Sequence, residues 1–407
     1  GATTTLRAIA IAPDYVSLPS VTHTYLFLDD VLNQSNDQAP PPGWPVTWNS
    51  NVVDYGMDPD VITAEGAQQV KAALQALPSL SLTTDLANLF DPAIGIYSNA
   101  QQDGRDWERP ASVEWINPDG SNGFQVNAGL RIRGGYSRGD FNPKHAFKLF
   151  FRGSYGDSQL EYPVHGADGI STFDKLDLRT PQNYSWSSGG DASNNFVAEV
   201  LARYAQRDLD QPYTRSTWVH LYLNGQYWGL YQTQERADAG YAESYLGGIA
   251  ANYDVIKPER GDYRNIATDG NFDAYTQLWA QANARGTDGI TPAFVDNAEY
   301  LRAQGMNPDG TDNPSYPVLL DVDNLIVYMI ETLRGGNLDA PISNFLGNDQ
   351  PNNYFAVRDR TGREGFRFFQ HDAEHTMRNV NENRNGPYNA ANYEVGVDFF
   401  NPQWLHQ

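Results

Sequence analysis

The sequence predicts an α+β protein: an N-terminal extension, then a β-rich part, then a part in which helices dominate. Three observations carry that expectation. From Leu80 onward short β-type runs alternate with Gly, Pro, Asn and Asp clusters. The stretch "STWVHLYLNGQYWGLYQTQE" joins two alternating runs through Asn224-Gly225, a pair suited to the positive φ angles of a type I′ hairpin turn. Helical spacing appears in "DASNNFVAEVLARYAQ" and in "DVDNLIVYMIETLRGG", the latter opening at an Asp and closing at Gly335-Gly336.

Residues 1–78 read as the extension. The prolines of "NQSNDQAPPPGWPVTWNS" forbid regular structure there. Ile62, Val70, Leu74 and Leu77 lie near helical spacing, which predicts one helix over Ile62–Leu77 despite Gly66. Residues 79–407 read as the main body, β-rich over about 79–235 and helical over about 236–407. The runs "LSLTTD", "GIYSN", "ASVEWI", "FQVNAGLRIRGGYS" and "AFKLFFRG" predict antiparallel strands. Phe196, Val197, Val200, Leu201 and Tyr204 predict the core-facing side of the first helix. A second hairpin is expected with strands Tyr354–Arg358 and Phe366–Gln370.

With 40% hydrophobic and 13% aromatic residues against 19% charged, the chain has the composition of a folded protein. Lys+Arg 28 against Asp+Glu 50 gives a net charge of −22. Such a surface repels phosphate backbones and anionic membranes, and it argues against a nucleic-acid partner. The absence of cysteine excludes disulfides, thiol nucleophiles and Cys-ligated metals, and with the acidity it suits a secreted or cell-surface protein. No run approaches the roughly 18 apolar residues of a membrane-spanning helix.

Acceptor-bearing residues crowd the two mouths of the second hairpin, as "NDQPNN" before it and "HDAEH" after it. Upstream come a strand region with Lys144 and Lys148 and a helix with Glu199. Phosphoryl transfer needs cations against phosphates, a carboxylate for the acceptor hydroxyl, and an Asn and an Asp for a divalent metal. That is the order of parts in a protein-kinase-like phosphotransferase. Each residue also has a plainer reading. Asp349 beside Pro351 suits a turn. Asp372 and Glu374 suit a solvated strand end or a structural Ca²⁺ site. Glu199 suits a kinase-type pair with the nucleotide-binding lysine and equally an i,i+4 surface pair with Arg203. His371 and His375 are not expected to share a helical face and so do not read as a zinc pair. No G-x-S-x-G elbow supports a hydrolase.

The blocks "LRIRGGYSRGDFNPKHAFKLFFR", "VHLYLNGQYWGLYQTQER" and "NNYFAVRDRTGREGFRFFQHDAEHT" resemble the signature blocks of the CotH kinase family, named for spore-coat protein H, over roughly Gly129 to Met377. The resemblance implies an atypical protein-kinase-like fold, with a β-rich N-terminal lobe and a helical C-terminal lobe. It also implies ATP, Mg²⁺ or Mn²⁺ as cofactor, and a surface or matrix protein phosphorylated on Ser or Thr. By position Asp349 matches the catalytic aspartate and Asp372 the metal-binding aspartate. Asn353 matches the companion metal ligand, with Asn352 as a substitute, because Asp349 and Asn353 are four apart rather than the five usual in kinase loops. Lys144, favoured by motif similarity, or Lys148 would meet phosphate, and "RIRGGYSRG" with Arg133 and Arg138 takes the place of a phosphate-covering loop. The rival expectation is a non-catalytic surface or matrix protein that keeps the fold and a structural Ca²⁺.

Overall fold

The computed structural model describes residues 1–11, 20–180, 182–183, 196–283, 296–347, 350–382 and 384. The chain is a mixed α+β protein that divides into two compact units, Gly1–Asn194 with Ser216–Gln234, and Asn195–Arg215 with Glu235–Gln407.

The first unit is built on a closed seven-stranded barrel. Its strands are β1 (Ser79–Thr83), β2 (Arg109–Ile116), β3 (Phe124–Arg133), β4 (Ala146–Phe150), β5 (Lys175–Arg179), β6 (Ser216–Leu223) and β7 (Gln226–Gln234), in spatial order β5-β7-β6-β1-β2-β3-β4. The β6–β7 hairpin turns at Asn224 (φ 49°) and Gly225 (φ 80°), the two positive angles its sequence predicts. All neighbouring pairs are antiparallel except β6 with β1, which the expected all-antiparallel sheet does not include. The run "GIYSN" forms turns instead of a strand. Ile96 N and Tyr97 N bond to Asn88 O and Leu89 O, which folds the segment back and buries Tyr97.

Side chains alternate about the barrel wall, as the two-residue period of a strand requires. Phe147, Leu149, Leu176 and Leu178 join the core, whereas Lys148, Asp177 and Arg179 lie on the opposite face. The N-terminal extension supplies part of that core, since Trp44 and Trp48 pack against Trp228 and Tyr97 at ring separations of 5.8 and 5.2 Å. The helix expected over Ile62–Leu77 is two helices, α1 (Pro59–Glu65) and α2 (Ala67–Leu74), parted at Gly66, whose φ of 86° no helix interior adopts.

In the second unit a sheet of order β9-β8-β10-β11 combines β8 (Tyr253–Pro258), β9 (Asn265–Asp269), β10 (Tyr354–Asp359) and β11 (Arg367–Gln370). The β10–β11 hairpin is the second one read from the sequence. Helices α3 (Ala198–Asp208) and α4 (Val322–Arg334) pack on this sheet, α4 starting where Asp321 accepts the Asn324 N–H at 3.0 Å. The face of α3 matches the expected one only at Val200, with Phe196 and Tyr204 half-buried. Val197 and Leu201 are exposed, and Glu199, Val200, Arg203 and Gln206 are buried.

The reason lies in β11, an edge strand whose outward N–H and C=O groups need partners. Gln206 gives its amide N–H to Phe368 O at 3.0 Å and accepts Gln370 N at 2.9 Å. Asn324 on α4 accepts Phe368 N at 2.6 Å and donates to Gln211 at 3.1 Å. Two side-chain amides thus replace a missing strand. Polar hydrogen bonding, rather than apolar periodicity, sets the orientation of α3.

Candidate active site

The site in the second unit is assembled by the ends of secondary-structure elements. Helix α4 stops at Gly335-Gly336, and Gly336 (φ 62°) turns the chain inward. Asn337 Oδ1 then accepts Asp339 N at 3.0 Å, fixing a tight turn that presents Asp339. The register of β10 with β11 pairs Tyr354 with Gln370. Asn353, just before the hairpin, and Asp372, just after it, therefore emerge together, and Asn353 Nδ2 lies 3.4 Å from Asp372 O. Both residues adopt left-handed backbone angles, φ 48° and 51°, a conformation non-glycine residues rarely hold.

Asp339 is the centre of the cluster. Its carboxylate accepts Asn352 Nδ2 on both oxygens at 3.0 Å, Asn353 Nδ2 at 2.9 Å and the Ser343 hydroxyl. His375 Nε2 stands 4.0 Å away. Burial raises the Asp339 pKa. The Ser343 hydroxyl, the His375 charge and the Asn352 amide oppose that rise, and the Asp372 charge adds to it. A buried carboxyl shifted upward among convergent polar groups marks a candidate functional cluster.

Asn352 is fully engaged, since its Oδ1 also accepts Asn353 N at 3.0 Å. Asn353 commits its amide N–H groups to Asp339 and Asp372 O, so its Oδ1 has no partner among the described residues. The Asn353 amide oxygen and the partly exposed Asp372 carboxylate, 3.5 Å from His371 Nε2, are both hard oxygen donors. Two such donors suit Mg²⁺ or Mn²⁺, which fill their remaining positions with water and phosphate oxygens. Among the described residues no three His, Cys, Asp or Glu side chains converge as a closed metal cage. Glu374 is half-buried in the same turn and is not among the partners of Asp339. The two histidines face different acids, His371 towards Asp372 and His375 towards Asp339. Asp349 lies outside the described residues.

In the first unit the two candidate lysines fall on opposite sides of the barrel wall. Lys144 is buried, donating to Trp228 O at 2.9 Å and lying 3.9 Å over the Trp228 ring. Burial lowers its pKa to about 8, against a weak pull from Asp54. Lys148 lies on the other face, 3.4 Å from Asp177 Oδ1, and Arg133 Nε binds Asp177 Oδ2 at 2.9 Å. Strand register dictates this trio, because Asp177 pairs directly with Lys148, and Arg133 ends the neighbouring strand β3. The result is a fixed patch of two cations about one carboxylate.

Arg138 does not project from the Gly-containing loop. Its guanidinium donates to the carbonyls of Gly134, Ala100, Gln102 and Ile132 at 2.6–2.9 Å, which holds the loop's shape. Glu199 pairs with Arg203 at 2.7 Å, so the i,i+4 pair exists. It is a buried pair and not the expected surface one, with Arg203 also donating to Thr214 O and Arg215 O.

Sequence reasoning missed Asp339, Ser343 and Asp177. For Asp177 the alternating "KLDLR" was a usable signal, since it sets the acid opposite the leucines. For Asp339 the weak signal was its place just beyond the Gly335-Gly336 helix stop.

Phosphoryl transfer calls on cations for phosphate oxygens and on hard oxygens for a divalent ion. Residues 130–404 match the family model described as CotH kinase protein, and the chain belongs to that family. Among curated proteins, none matches the chain.

Proposed function

We propose that this protein is a secreted or cell-surface protein kinase that transfers the γ-phosphoryl group of ATP to a Ser or Thr hydroxyl of a surface or matrix protein. The observation that carries the reading is the convergence of Asp339, Asn353 and Asp372 at the mouth of the β10–β11 hairpin, in a chain of the CotH family. The acidic, cysteine-free composition supports an extracellular setting.

In this reading Asp372 and Asn353 Oδ1 hold the divalent ion, which when bound neutralises charge on the transferred phosphate. Asn352 and Ser343 orient Asp339, and Asp339 in turn fixes the Asn353 amide through its N–H. Asp349 takes the proton of the acceptor hydroxyl, a role its position in the family blocks supports. Lys148 and Arg133 meet phosphate oxygens, and Asp177 keeps their side chains in place. Lys144, spent on Trp228, serves the barrel. Residues 79–407 form the kinase body, and residues 1–78 are an extension attached to it.

The test incubates the purified chain with radiolabelled ATP and Mg²⁺ or Mn²⁺, beside Asp349→Ala and Asp372→Ala. Labelling of the chain or an added protein, lost in both variants, is the expected result. Absence of labelling together with no thermal stabilisation by ATP and Mg²⁺ rejects the reading. Stabilisation by Ca²⁺ alone would favour a non-catalytic matrix protein.

A further inference from the structure

The C-terminal half of α4 carries an acid that the phosphotransfer chemistry leaves unused. Glu331 is half-buried as a residue, yet both its carboxyl oxygens are sealed from solvent and have no hydrogen-bond partner among the described residues. The Gln370 amide beside it is already given to Thr332 Oγ1 at 3.0 Å and Tyr328 O at 3.4 Å. One turn further on, Gly335 leaves no space for a side chain. A Cβ there would lie 2.7 Å from Glu331 O and 2.8 Å from the Thr376 methyl group. Met377 N closes the contact by donating to Gly335 O at 2.7 Å. The end of α4 is thereby stitched to both sides of Asp372, through Gln370 before it and Thr376-Met377 after it.

A carboxylate sealed without a donor or counter-ion is strongly disfavoured. Burial raises the Glu331 carboxyl to about 8, the Gln370 amide pulling the other way. The groups around it are the buried Tyr328 hydroxyl and the neutral Gln370 amide. Two charged groups of the adjoining elements have other partners. His375 faces Asp339 and Phe345, and Arg203 of α3 faces Glu199 and Thr214.

We propose that Glu331 is a positioning residue: as a neutral acid it lets α4 pack against the 370–377 turn, and loss of its proton to solvent loosens the turn that carries Asp372. Its link to catalysis rests on the reading of Asp372 above, whereas the packing step does not.

The test is hydrogen exchange of the 370–377 amides in the full chain and in Glu331→Gln, from pH 6 to 9.5, corrected for intrinsic exchange. Protection in the native sequence should fall about tenfold or more between pH 7 and 9.5, and stay level in Glu331→Gln. Equal pH dependence in both proteins, or protection already lost in Glu331→Gln at pH 6, overturns the proposal. Glu331→Met gives a second check, because it also removes the titration and should show the same level profile. In thermal unfolding the folded pKa stands above the unfolded one. The native protein therefore loses stability relative to Glu331→Gln as pH rises from about 4.5 to 8, and the gap is constant above. A gap that does not change with pH also overturns the proposal. Neither measurement uses ATP, so failure of the kinase reading leaves both outcomes interpretable.

Discussion

The shifts of Lys144 and His145 in the barrel unit and of three buried acids in the second unit share a cause. In the barrel wall Lys144 is driven down to about 8, and His145, sealed between Trp48 and Tyr97, to about 4, both chiefly by burial. In the second unit burial raises Asp339, Glu235 and Glu331. One physical cause, the cost of charge in a poor dielectric, pushes every one of these groups towards its neutral form. The consequences for stability have opposite signs. A base with a depressed folded pKa adds stability as pH rises, because the unfolded chain gives up the extra proton. An acid with a raised folded pKa removes stability over its own range. The lesson is that the barrel's two depressed bases are structural liabilities tolerated in an aromatic core, while Asp339 in the second unit holds the Asn353 amide at the hairpin mouth, where the family's chemistry is expected.

The sharpest way to break this contrast is Asp372→Ala, which should reduce ATP-dependent labelling by about 10³-fold while the circular dichroism spectrum is unchanged. If activity survives, the acidic unit is merely acidic. Next comes the barrel's acid limb. His145 stays neutral in the folded state down to about pH 4, whereas the unfolded chain protonates near 6.5. Stability should therefore fall by about 3 kcal/mol between pH 7 and 3.5 relative to His145→Phe. Parallel denaturation curves for the two proteins would remove His145 from the account.

Lys148→Met should lower labelling about 10²-fold, and Lys144→Met less than about threefold. The reverse order, read from the same assay, would return the phosphate role to the inner lysine. The smallest effect is expected at Asp339→Asn. It leaves the Asn352 and Asn353 amides and the Ser343 hydroxyl facing a weaker acceptor, which should cost about 1–3 kcal/mol in urea unfolding. A larger loss would mean that the cluster supports the whole sheet.

The two hairpins were legible because their signals are local. Asn224-Gly225 dictates its turn, and the strands of β10 and β11 are near neighbours in sequence. Knowing those ends sufficed to expect Asn353 and Asp372 together. Asp339 was not legible, since its partners Asn352 and Asn353 are 13 and 14 residues away through a loop. The helix α3 misled for another reason. Val197 and Leu201 look like core residues, yet the neighbouring edge strand needed the Gln206 amide more than it needed apolar cover. The lysines illustrate a middle case, for the alternation Phe147, Lys148, Leu149 already sets Lys148 against the core face.

By itself the sequence determined the mixed α+β class, the hairpin turns, the helix stops and the family blocks, because each depends on dihedral preference or side-chain period over a few residues. Only tertiary structure decided that the barrel closes with one parallel pair, that Lys144 turns inward, and that Asp339 collects the hairpin's amides. Those outcomes depend on hydrogen bonds and burial between segments far apart in the chain, where no local rule reaches.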